Sequence, residues 1–83
     1  METRVAVMSI IVGREGDVEK LNRLLHESGR YIIGRMGIPY RQKNVNIISV
    51  VLDAPQDEIS ALAGRIGSLA DVTVKTAYSS VQG

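Results

Sequence analysis

The chain contains no cysteine, tryptophan or phenylalanine, and three tyrosines make up its whole aromatic content. Without cysteine, disulfides, thiolate metal sites and cysteine nucleophiles are excluded. A single histidine, His26, supplies far too few ligands for zinc or nickel, which take about three or four protein donors. No metal and no cofactor are therefore expected. An excess of charge of either sign is also missing: 10 basic residues stand against 9 acidic ones, for a net +1. That balance lacks the basic stripe of a nucleic-acid binder, so no direct nucleic-acid contact is expected of this chain alone. No fully apolar run exceeds four residues, which leaves nothing to cross a membrane as a helix. Residues 1–12 carry Glu2 and Arg4 ahead of an alternating segment and do not read as a secretory signal. A cytoplasmic protein is expected, with residues 1–83 forming one small domain that buries about 60–65% of its unfolded surface.

What is present follows a simple order. Thr3 to Val12 is β-branched or apolar at nearly every position and reads as a strand. From about Glu15 the period changes: Val18, Leu21, Leu24 and Leu25 share one helical face, with Glu19, Lys20, Arg23 and Glu27 opposite. Ser28 and Gly29 close that helix, Gly29 as the expected left-handed cap. A second strand begins near Arg30 and is interrupted by Gly34, Gly37 and Pro39, so it should run into a shaped, basic loop. Asn44 to Leu52 is a third strand. Asp53-Ala54-Pro55-Gln56 has the form of a helix start with an aspartate cap and proline in the first turn. Ile59, Leu62, Ala63 and Ile66 make that helix's apolar stripe, and Gly67 ends it. Asp71 to Ser79 is a fourth strand.

The order βαββαβ is that of the ferredoxin-like α+β fold. It predicts one four-stranded antiparallel sheet, both helices on a single face, strands one and three central, and strands two and four at the edges. A sheet covered on one side should alternate apolar and polar residues along each strand. The two central strands do not. Ala6, Met8, Ile10 and Val12 oppose Val5, Val7, Ser9 and Ile11, and Ile48, Val50 and Leu52 oppose Val45, Ile47, Ser49 and Val51. The helix-packed side of a core seldom selects two hydroxyls, so the serine-containing sets are assigned to the uncovered face. Val5, Val7, Ile11, Val45, Ile47 and Val51 then form a contiguous apolar patch, the kind that marks a subunit interface. A homodimer or homotetramer is expected.

Chemistry-bearing residues are sparse. Asp57 and Glu58 fall in the first turn of a helix, where the backbone dipole favours acids whatever their function. Gly13-Arg14-Glu15-Gly16 joins a strand to a helix but lacks a phosphate-binding motif. No histidine stands near Ser9 or Ser49 to form a nucleophile–base pair, so an enzyme is not expected. The best candidate for recognition is Gly34, Arg35, Tyr40 and Arg41. Arginine grips carboxylates and phosphates bidentately, tyrosine offers a flat face with a hydroxyl, and glycine lets a ligand approach the backbone. Those charges serve equally to solubilise an edge strand.

The segments GRYIIGRMGIPYR, NIISVVLDAP, DEISALAGRIG and VTVKTAYS, in this order, closely resemble the small regulators of the iron-only hydrogenase system, and the resemblance spans Thr3 to Ser79. It implies a non-catalytic regulatory domain of the ACT-like group, akin to the effector-binding domain of the nickel-responsive repressor. Such domains assemble through sheet faces or edges and hold small effectors between subunits. The nickel-responsive domain ligates its metal through histidines and a cysteine, and this chain has no such set.

An oligomeric module that senses a small anionic effector, or docks on a hydrogenase-system protein, is the leading expectation. A purely structural interaction module without a small ligand is the alternative. A ferredoxin-like isomerase or monooxygenase is a third class, disfavoured by the shortage of catalytic polar residues.

Overall fold

Residues 4–12 alternate between a core that excludes water and a surface that admits it, and that alternation organises the whole sheet. The computed structural model describes residues 2–82, with side chains described for 2–80. Strand β1 (Arg4–Val12) buries Ala6, Met8, Ile10 and Val12. Strand β3 (Val45–Ala54) buries Ile48, Val50, Leu52 and Ala54. Strand β2 (Ile32–Tyr40) flanks β3, and β4 (Val72–Gln82) flanks β1, in the order β2-β3-β1-β4 with every pair antiparallel. Helices α1 (Val18–Glu27) and α2 (Gln56–Gly67) complete the core with Leu21 and Leu25, and with Ile59, Leu62 and Ile66. The fold is ferredoxin-like α+β, with strands one and three central as the residue pattern requires. Each fully buried aliphatic side chain contributes about 1.5–3 kcal/mol relative to an exposed one.

Local chemistry departs from the sequence expectations in three places. Helix α1 begins at Val18, the first residue of its expected apolar stripe, because Asp17 caps it: the Asp17 carboxylate accepts from the Lys20 amide at 3.1 Å. At its other end Gly29 is not left-handed, since no glycine in the described residues has positive φ. The chain instead tightens into a 3-10 turn over Gly29–Tyr31, with the Ser28 amide donating to the Leu25 carbonyl at 3.2 Å and the Tyr31 amide to Ser28 at 3.0 Å. These i→i+3 bonds satisfy the orphan carbonyls without a left-handed residue.

Asp53 is not the cap of α2. It stays in β3, paired with Val5, and Pro55 takes the capping position, its carbonyl accepting from the Glu58 and Ile59 amides at 3.0 and 3.1 Å. The residue before a proline prefers extended backbone, so the strand persists to Ala54 before the helix can start.

The largest correction concerns β2, which runs straight through Gly34, Gly37 and Pro39 instead of breaking into a loop. An edge strand pairs on one side only, and a proline there need not disrupt the sheet. The glycines' cost appears as one register shift between Ile32 and Gly34, after which Arg35, Gly37 and Pro39 pair with Val50, Ile48 and Asn46. The turn to β3 is a 3-10 turn over Arg41–Lys43, followed by Asn44 at φ 56°. Asparagine tolerates that left-handed conformation better than other non-glycine residues.

Candidate functional site: the open sheet face

The face of the sheet away from the helices carries the odd-numbered residues of β1 and β3. Pairing aligns Val7 with Val51, Ser9 with Ser49 and Ile11 with Ile47 across the two central strands. Strand β2 extends this surface, placing Gly34 beside Val51, Met36 beside Ser49, Ile38 beside Ile47 and Tyr40 beside Val45. Strand β4 adds Ala77 beside Val7, Lys75 beside Ser9 and Thr73 beside Ile11. The result is an apolar field with two hydroxyls near its middle and charge only at its margins. Val5, Ile11, Met36, Ile38, Tyr40 and Ile47 are all exposed, from 39% at Ile47 to 62% at Met36. Val7, Val45 and Val51 are half-buried by their neighbours.

The expected interface residues Val5, Val7, Ile11, Val45, Ile47 and Val51 therefore share one face. Sequence reasoning missed Met36 and Ile38, which belong to it. Their signal was the period-two spacing of Gly34, Met36, Ile38 and Tyr40, hidden by the reading of glycine and proline as breakers.

The recognition candidates are not brought together. Arg35 lies on the helix side, where its guanidinium donates to the Asn22 side-chain carbonyl of α1 at 2.8 Å. Gly34 and Tyr40 lie on the open side, and Arg41 lies in the turn beyond Tyr40. Arg35 and Tyr40 are five positions apart on an uninterrupted strand, and an odd separation puts them on opposite faces. The expected joint projection of Arg35 with Tyr40 and Arg41 presumed a loop that does not form. His26 is exposed on α1, and among the described residues no three His, Cys, Asp or Glu side chains gather as a metal site.

The glycine loop after β1 is engaged within the chain. Asp71, at φ 57°, receives the Glu15 amide on its carboxylate at 2.9 Å, while its carbonyl accepts the Gly13 amide at 2.8 Å. A β-carbon on Gly13 would meet that carboxylate, so glycine there lets the Asp71 side chain approach the loop backbone. At the other end of the sheet, the Arg4 guanidinium lies 4.6 Å from the Tyr78 ring centre and donates to the Gln56 side chain at 2.7 Å and the Ser79 carbonyl at 3.2 Å. Gln56 in turn donates to Ser60 and Tyr78, tying the start of α2 to β4. The described residues enclose no cavity. No helix among them is long and apolar enough to cross a membrane.

This arrangement has close counterparts. Residues 4–76 match the family model "TM1266-like: Iron-only hydrogenase system regulator, putative". The chain belongs to this family. It is also similar to the solved structure of the uncharacterized protein TM1266 from Thermotoga maritima, with 37% identity and a TM-score of 0.89 over 93% of this chain and 98% of that one. A more distant similarity, at 19% identity and a TM-score of 0.62, is to a formyltetrahydrofolate deformylase from Pseudomonas putida KT2440. It covers 87% of this chain but only 28% of the deformylase and concerns the fold alone. A search of curated proteins finds no match. The family match spans both edges of the open face, from β1 through Thr76 of β4.

Proposed function

We propose that the chain is a non-catalytic regulatory module of an iron-only hydrogenase system that works as a homo-oligomer assembled through its open sheet face. The family's description supports the regulatory role. The observation that carries the assembly is the open face itself, where six large apolar side chains on three adjacent strands stay exposed. Each forgoes part of the 1.5–3 kcal/mol or so that burial of such a side chain provides, a cost a partner surface would recover. In this reading the module acts in the cytoplasm, off the membrane and without touching nucleic acid. It senses a small anionic effector or docks on a hydrogenase-system protein at the Tyr40–Arg41 end of β2, with Gly34 farther along the same open face and Arg35 on the helix side as separate points of contact.

Light scattering on the purified chain at micromolar concentration tests the assembly. Wild type is expected as a dimer or tetramer, and Val7→Lys with Ile47→Lys as a folded monomer by circular dichroism. A monomeric wild type ends this reading. A thermal-shift screen over amino acids, nucleotides and other anions tests the sensing function, because an effector at 100 times its dissociation constant adds about 2.7 kcal/mol.

A further inference from the structure

The open face has an acid, Asp53, at one end, two bases, Arg41 and Lys43, in the turn at the other, and Lys75 at mid-length on its β4 edge; no described side chain engages Asp53, Arg41 or Lys43. Asp53 is the last open-face residue of β3, exposed and paired in the sheet with Val5. Arg41 and Lys43 lie in the turn at the opposite end, just past Tyr40 and Val45. No described hydrogen bond or ion pair holds any of the three side chains. Asp53 and Val45 are eight residues apart on one strand, about 26 Å at the usual rise.

We infer that the open face is covered by a second copy of this chain, stacked sheet on sheet with the strands antiparallel, so that Asp53 of each copy meets Arg41 and Lys43 of the other. This rests on the reading of the face as an assembly surface and adds the occupant and its orientation. A two-fold axis lying between the sheets and across the strands brings the acid end of each copy onto the basic end of the other. Every contact then occurs twice. The two-fold stacking with parallel strands does the opposite. It sets Asp53 over Val5 of the other copy and leaves Arg41 and Lys43 over the glycine loop, so an unpaired carboxylate would be dried against valine.

Area agrees with a second copy. Four strands about 4.8 Å apart and about 30 Å long present roughly 570 Å² in projection. Two such faces bury about 1,100 Å², above the floor of about 1,000 Å² for a specific interface. Ser9 and Ser49 lie near the middle of the stack and mark its central row.

The test is a charge swap on the full chain, read as the dimer dissociation constant by sedimentation or light scattering from about 1 to 100 µM. Asp53→Lys alone, or Arg41→Asp with Lys43→Asp, is expected to weaken the dimer about tenfold or more, because an isologous contact doubles each reversal. Combining all three is expected to restore the constant to within about threefold of wild type, and added salt should weaken wild type. All three positions are exposed, so circular dichroism should show an unchanged fold. A wild-type dimer that none of the variants weakens, or a triple variant no tighter than the single reversals, overturns the antiparallel pairing while leaving face assembly standing. A monomeric wild type up to about 100 µM leaves the face to a partner of another kind and overturns both readings.

Discussion

Gly13→Ala isolates the contact that ties the loop after β1 to the turn before β4. An ideal β-carbon at Gly13 would lie 2.3 Å from Asp71 Oδ2 and 2.5 Å from its Cγ and Oδ1. Non-bonded atoms do not pack that close to a β-carbon, so the Asp71 carboxylate must swing away. It then gives up the 2.9 Å hydrogen bond from the Glu15 amide. A hydrogen bond to a charged group contributes about 1.5–3 kcal/mol, and the exposure of Glu15 and Asp71 favours the low end. A loss of about 1.5 kcal/mol lowers the melting temperature of a domain this size by roughly 6–12 °C. Asp71→Gly provides the control. It deletes the carboxylate but suits the φ of 57°, which glycine adopts without strain, so its net cost should be small. In that background Gly13→Ala should be nearly neutral, and the difference between the two backgrounds is the energy of the clasp. Urea denaturation of the four proteins measures it. An equal cost for Gly13→Ala in both backgrounds would refute the account.

Three further outcomes are expected. Ile10→Ala, at a fully buried site on a central strand, should cost about 2–5 kcal/mol in urea unfolding, and a cost below about 1 kcal/mol would deny the packing described. Arg35→Ala and Arg41→Ala should each change folding stability by no more than about 0.5 kcal/mol, yet only Arg41→Ala should weaken the dimer in light scattering; equal weakening by both would mean that the two arginines act on one surface, and no weakening by either would remove Arg41 from the interface. Purified protein should carry no stoichiometric transition metal by elemental analysis, and a chelator should leave its melting temperature unmoved. Stoichiometric nickel, iron or zinc would point instead to a site shared between copies and including His26.

Much of the open face was legible from residue order because a strand's side-chain period is two. The two serines, Ser9 and Ser49, were enough to decide which side the helices leave bare, and the structure buries Met8 and Val50 on the other side. The same rule failed at β2, where Gly34, Gly37 and Pro39 carry weak strand propensity. Pairing with β3 overrides that propensity, and residue types near in sequence say nothing of how strongly a distant strand will pair. Once β2 is continuous, Met36 and Ile38 join the face and Arg35 leaves it. Asp53 was misplaced for a similar reason. Its distance from the next apolar stripe suits a helix cap, but its pairing with Val5 holds it in the sheet, where it becomes the one acid at the end of the open face of β3.

By itself the sequence determined the order of elements, the sidedness of the central strands and the membership of the chain in its family. These are local or periodic properties, written in spacings of two and of three or four residues. Tertiary structure alone decided which candidate residues can act together. Arg35 was separated from Tyr40 by strand continuity. The amides of the glycine loop were taken by Asp71 from 56 residues away, and Asp53 was set at the far end of one face from Arg41 and Lys43. Such placements depend on register across strands distant in sequence, and register is fixed by the packing of the whole sheet rather than by any segment within it.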